Sequence, residues 1–237
     1  MTAAVFYLGA AVAAIRLPAP VHMPHDHPDR PDARQLSRLA DQLFSSRCLM
    51  LSNYMMLPIL SALVPGVFDQ LGCGVSVATP LLALMDVVRL ACFAAMQRSP
   101  VWHNKASLLA WTALLLPVGF FMALLGTNLA VVLSGVTLFG LAEGMVYYTA
   151  LYYAMESQNA SVGAAGVHEA LIGTGYMSGP LVGLIGTALA NATGSTSTGM
   201  LLGIGPFAAA CGVAALWPLL CKPKRQGKPQ MHTDAHR

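Results

Sequence analysis

The sequence predicts an all-α fold: a polytopic membrane bundle of six full transmembrane helices, with a partial seventh at the N-terminus. Three observations predict it. Hydrophobic residues make up 56% of the 237 positions and charged residues 10%, with a mean hydropathy of +0.61. A soluble chain has about a quarter of its residues charged. Continuous apolar runs reach the roughly 20 residues that a helix needs to cross a bilayer. Lysines and arginines fall in alternate connections between those runs. The runs are continuous rather than alternating, which excludes barrel strands.

The elements follow in chain order. Ala3–Ile15 is apolar but short, and runs of about 10–14 residues are more often interfacial or the core of a signal peptide. No basic residue precedes it, which argues against a signal peptide. It also fits the surviving end of a span whose beginning is missing, so 1–17 is expected to be a partial or short membrane helix. Pro18–Asp41 is rich in Pro, His, Asp and Arg, so 18–47 is expected to be a cytoplasmic linker ending in a short helix along Asp32–Phe44. The expected spans are Cys48–Phe68, Val75–Met96, Leu108–Leu125, Leu129–Tyr153, Leu171–Ala190 and Met200–Leu220. They make 48–221 a six-helix bundle and leave 222–237 as a basic tail.

Basic residues set the orientation. Arg30, Arg34, Arg38 and Arg47 precede the first full span, Arg98 and Lys105 flank the next inner loop, and Lys222, Lys224, Arg225, Lys228 and Arg237 fill the tail. The connections Asp69–Gly74, Gly126–Asn128 and Asn191–Gly199 carry none. Positive charge marks the cytoplasmic side. The linker, the 97–105 loop and the tail are therefore inside, and Glu156–Gly166 must be inside with them. The expected location is the inner (plasma) membrane, with a cytoplasmic C-terminus.

Five cysteines, Cys48, Cys73, Cys92, Cys211 and Cys221, form no C-x-x-C pair and suit apolar packing. His22, His25 and His27 lie in a flexible segment, where a metal would lack further ligands held in geometry. They read as a polar linker, and His232 and His236 as a polar tail. No cofactor or resident metal is expected.

The stretch Phe139–Gly183 carries the chemistry. Its first part, Gly140-Leu-Ala-Glu-Gly-Met-Val-Tyr-Tyr-Thr-Ala-Leu-Tyr-Tyr-Ala-Met155, resembles a G-x-x-x-G-x-x-Y-x-x-S-L-Y-Y pattern. That pattern belongs to the tenth helix of some bacterial major facilitator superfamily (MFS) transporters. Gly163-Ala-Ala-Gly-Val-His-Glu-Ala-Leu-Ile-Gly-Thr-Gly175, followed by Gly179-Pro180, resembles the eleventh. With the basic linker and six spans, roughly Asp41 to Cys221 is similar to the C-terminal half of such a transporter. The resemblance implies two six-helix halves around a cavity with alternating access. The first half is absent here. The expectation is a truncated chain, or a half-length protein that pairs with a second six-helix half or with its own copy.

Candidate residues each have two readings. Glu143 lies a little past the middle of its span, and Tyr147 follows one turn later. Intramembrane acids are functional candidates by default, and desolvation favours the neutral form of a carboxyl. Glu143 is thus a candidate for taking up and releasing a proton, or for locking neighbouring helices by a hydrogen bond. Tyr147 is a candidate cavity residue, while Tyr148, Tyr152 and Tyr153 also suit an interfacial aromatic belt. Asp86 and Arg89 are three residues apart on one helix face. They form a structural ion pair, or Arg89 holds an anionic substrate.

His168 and Glu169 open the next span. They are candidate inner-gate residues, or Glu169 simply complements the helix dipole in the first turn. Gly175, Gly179 and Gly183 form a smooth stripe on which another helix can pack closely. That helix comes from a missing or partner half, or from this half itself. Pro58, Pro65, Pro117 and Pro206 lie inside other spans, and Pro180 interrupts the stripe; such prolines often mark bends in transporters.

The leading functional expectation is an MFS-like secondary transporter of a small solute, with proton coupling through Glu143. The alternative is a non-transporting membrane scaffold or relic fragment. An intramembrane serine protease is excluded: Ser178 precedes Gly179, but no G-x-S-G motif surrounds it and no histidine lies in the last span. No Walker lysine follows a glycine loop. The expected partners are the bilayer, the solute and a second bundle, with no nucleic acid.

Overall fold

The computed structural model describes residues 33–158 and 162–220. Within them the chain forms six α-helices and no strand: α1 Ala33–Gln70, α2 Val75–Arg98, α3 Ala106–Leu125, α4 Leu129–Gln158, α5 Val162–Thr193 and α6 Thr196–Leu220. A 3-10 turn, Pro100–Trp102, links α2 to α3. Each of the six expected spans falls inside one helix. Five of them, α1, α2, α3, α4 and α6, are long and apolar enough to cross a membrane. At 32 residues α5 is also long enough, but seven glycines with His168 and Glu169 dilute its hydropathy.

Helices run furthest past the expected spans at the start of α1, the end of α4 and the start of α5. The first begins at Ala33, close to the start of the helix expected along Asp32–Phe44. Residues 33–47 are one continuous helix with the first span rather than a separate short helix. The reason is a stripe at helical spacing. Leu39, Leu43, Ser46 and Met50 recur every three or four residues, and all four are buried. Likewise α4 continues to Gln158 and α5 starts at Val162, which shortens the expected 156–166 connection to a few residues. The segment 1–32, the histidines at 22, 25 and 27, and the tail from Cys221 lie outside the described residues.

α1 is the central strut and touches all five other helices. On one flank α4 packs against α3 and α2, and on the other α5 packs against α6. α4 and α5, adjacent in sequence, share only a narrow contact. Prolines 58, 65, 80, 117, 180, 206 and 218 all lie inside helices. In a bundle, neighbouring helices and side chains can satisfy the carbonyls that such prolines free.

The glycine stripe of α5 lies on α1. A Cβ at Gly175 would stand 2.6 Å from the Tyr54 Cβ, and one at Gly179 would stand 2.6 Å from the Pro58 Cγ. At Gly183 the facing residue is Ile59. Of the two readings, packing within the bundle is the one seen, and the expected partner helix does not occupy the stripe. Small residues there let two backbones meet where a side chain would hold them apart.

Candidate functional site

The site grows from a second glycine pair. Gly140 and Gly144 flank Glu143 on α4, and both face α2. A Cβ at Gly144 would stand 2.7 Å from the Cys92 Cβ and 3.1 Å from the Arg89 carbonyl oxygen. At Gly140 it would run into the Met85 backbone. With hydrogens in place of side chains, α2 closes on α4 and Arg89 comes level with Glu143.

Arg89 then joins two carboxylates. Its Nη1 donates to Glu143 Oε1 at 2.8 Å, and its Nη2 lies 2.8 Å from Asp86 Oδ1. The expected Asp86–Arg89 pair is present, but the bond from Arg89 across to α4 was not anticipated. Side-chain exposure grades through the triad: Glu143 0%, Arg89 30%, Asp86 53%. An isolated buried carboxylate carries a desolvation cost of several kcal/mol. Arg89 offsets that cost at one oxygen. The other, Glu143 Oε2, is buried without a hydrogen-bond partner.

Tyrosines gather round this triad. Tyr54 of α1 lies within electrostatic range of Glu143, Tyr147, Tyr176 and Arg89. Its ring is 5.4 Å from that of Tyr176 on α5. Tyr147, one turn after Glu143, lies 5.4 Å from Phe93 of α2 and 5.2 Å edge-on from His168 of α5. Four helices therefore meet at one polar and aromatic centre inside otherwise apolar surroundings.

The two residues of the expected gate pair differ in burial, while Glu169 stays within electrostatic range of His168. His168 is buried against Tyr147, with Nε2 lacking a partner, and Arg47 of α1 lies within its electrostatic range. Glu169 points outward and is exposed. It is also the eighth residue of α5 and not in its first turn, so the helix-dipole reading does not apply. Of the two, His168 is the one in ring contact with α4.

The remaining tyrosines divide as well. Tyr148 and Tyr152 hold the α2–α3 loop: Trp102 packs edge-on to them at 5.5 and 5.0 Å, and His103 stacks on Tyr152 at 4.4 Å. Trp102 Nε1 donates to the Met96 carbonyl at 2.8 Å and closes the turn. Tyr153 is fully buried with an unpartnered hydroxyl, so it is a core residue and not part of an interfacial belt.

Sequence reasoning missed Tyr54, Tyr176 and Phe93. Tyr54 and its buried neighbour Asn53 interrupt the apolar run of α1, and Tyr176 interrupts the glycine stripe. Those interruptions were the available signal. Among the described residues, no group of three or more His, Cys, Asp or Glu could hold a metal ion. A shallow depression lined by Pro117, Phe121, Leu125 and Val131 is almost entirely apolar and includes none of the residues of this centre. Comparison of the chain with protein-family models, with curated proteins and with solved structures finds no match, so none of these comparisons identifies a family.

Proposed function

We propose that the protein is an MFS-like secondary transporter that moves a small solute through the centre formed by Asp86, Arg89, Glu143, Tyr54, Tyr147 and Tyr176. The observation that carries this reading is the Arg89–Glu143 pair, a charged bond between two apolar helices. Charges at this depth are costly, face the bundle interior or a water-filled path, and mark solute and proton routes. Glu143 is the proton carrier in this reading, since its Oε2 has no competing donor. His168 against Tyr147 forms the inner gate, where α4 and α5 touch.

All six helices cross the membrane in this proposal, α5 included, with the basic 97–105 loop and the C-terminus on the cytoplasmic side of a plasma membrane. The open flank of α2 and α5, where Asp86 and Tyr176 are half exposed, accepts a second six-helix bundle: a partner half or a second copy.

Alternating access tests the reading without a known solute. In a cysteine-free background, Asp86→Cys is labelled with a membrane-impermeant thiol reagent in right-side-out and in inverted vesicles. A transporter gives labelling from both faces. Labelling from one face only, or from neither, fits a static scaffold instead.

A further inference from the structure

We infer that Cys48 and Cys211 form a dithiol site on the seam between α1 and α6, and that the ligand class it takes is the monosubstituted trivalent arsenical. The site is separate from the Arg89–Glu143 centre, and binding there can be measured without transport. Cysteines of a membrane bundle ordinarily serve as small packing residues; this pair is set apart by its neighbours. Cys48 on α1 and Cys211 on α6 lie within electrostatic range of each other, and Cys211 shares a hydrogen bond with the Ser52 side chain. Ser52 stands one helical turn after Cys48, on the same face of α1. The two helices pack directly on each other. Both thiols are free and half-buried, whereas Cys92 is buried.

The spacing suits a bridging atom better than a direct disulfide. A disulfide needs Cβ atoms about 3.5–4.5 Å apart, whereas residues one turn apart on a helix have Cβ atoms about 5–6 Å apart. Cys211 meets α1 at Ser52, a turn beyond Cys48. An atom set between the sulfurs, bonded to each at about 2.3 Å as in zinc thiolates, spans that interval. Zinc itself wants four ligands, and among the described residues no third His, Cys, Asp or Glu completes a metal site. Two thiols alone suit a centre that is satisfied by two.

The surroundings also select the charge of the adduct. The side chains that act on the two thiols are each other and the uncharged Ser52. A charged adduct in this apolar seam would lose its hydration with no ion pair in return. Copper(I) favours thiolates, but it leaves one negative charge on two of them. A monosubstituted trivalent arsenical leaves none. Each thiol gives up its proton, two arsenic–sulfur bonds form, and the arsenic-bound oxygen of R–As=O departs with both protons as water. Arsenic stays trivalent, so no oxidant or reductant is needed. The organic substituent has apolar surface on either side. Phe44 lies one turn before Cys48 and Phe207 one turn before Cys211, each on its thiol's own face, and both rings are exposed.

The test titrates phenylarsine oxide onto the purified full-length chain in detergent. Intact-protein mass spectrometry counts the adducts, and alkylation with iodoacetamide shows which cysteines are protected. One arsenical per chain should form, with Cys48 and Cys211 protected together and the other cysteines still alkylated. Cys48→Ser and Cys211→Ser should each raise the half-saturating concentration at least about 100-fold, because losing one thiol removes the second, intramolecular bond. Protection is mapped on the unaltered chain, so misfolding of either variant leaves the test intact. Absence of an adduct, protection of a different pair of cysteines, or half-saturation unmoved by either substitution overturns the inference.

Discussion

Arg89 on α2 donates from Nη1 to Oε1 of Glu143 on α4 at 2.8 Å, joining two residues that are 54 positions apart in sequence. The bond exists because Gly140 and Gly144 let the α2 backbone reach the α4 surface. The same guanidinium holds Asp86, so one cation organises an acid that is wholly buried and another that is half open. Packing thus creates the electrostatics: a glycine face admits a helix, the helix brings an arginine, and the arginine permits a buried glutamate.

Gly144→Leu should separate α2 from α4. A side chain there meets the Arg89 carbonyl oxygen and Cys92, so backbone must move rather than a flexible side-chain end. Overpacking of this kind costs about 1–3 kcal/mol. A lower melting temperature by fluorescence-detected size-exclusion is the expected reading. Wild-type melting would show that the two helices do not meet at Gly144.

Gly179→Leu separates an intramolecular role for the stripe from an intermolecular one. Its Cβ would stand 2.6 Å from the Pro58 Cγ on α1, so the variant should lose stability as a single chain, again by about 1–3 kcal/mol. Reduced self-association in crosslinking, at unchanged melting temperature, would return the stripe to a partner interface.

Trp102 should control the α2–α3 loop. Trp102→Phe removes the hydrogen bond to Met96 O and is expected to cost about 1 kcal/mol. Trp102→Ala also removes the ring contacts to Tyr148 and Tyr152 and should cost about 3 kcal/mol. Limited trypsin digestion reads this directly, since Arg98 and Lys105 bracket the turn. Cleavage there should accelerate in the order wild type, Trp102→Phe, Trp102→Ala. Equal rates would show that the aromatic cluster does not restrain the loop.

The helices were legible in the sequence because apolar runs of this length have few other uses, and each expected span lies within one helix. Some of their ends were less legible. Residues 33–47 carry arginines and polar groups that suggest a solvated linker, while the Leu39–Leu43–Ser46 stripe that packs on the core is only a few residues long. Glu143, Asp86, Arg89, Tyr147 and His168 could be singled out because polar groups stand out against an apolar background. Their partnership could not, because an i,i+3 pair is visible along one helix whereas Arg89–Glu143 depends on which faces of α2 and α4 meet. Gly140 and Gly144 were in view as part of a motif, but without the partner helix their spacing did not say what they admit. Tyr54, next to Asn53, did interrupt an apolar run, but that break alone does not say which helix the tyrosine faces.

A double-mutant cycle on Arg89 and Glu143 tests the central claim most directly. Thermal unfolding of wild type, Arg89→Met, Glu143→Gln and the double variant is measured in the same detergent. Arg89→Met should be the most damaging, because it leaves a buried carboxylate uncompensated, at about 3 kcal/mol. Adding Glu143→Gln should restore part of that loss, giving a coupling of about 1–3 kcal/mol. Strictly additive losses, with the double variant no more stable than Arg89→Met alone, would contradict the pairing on which the proposed site is built.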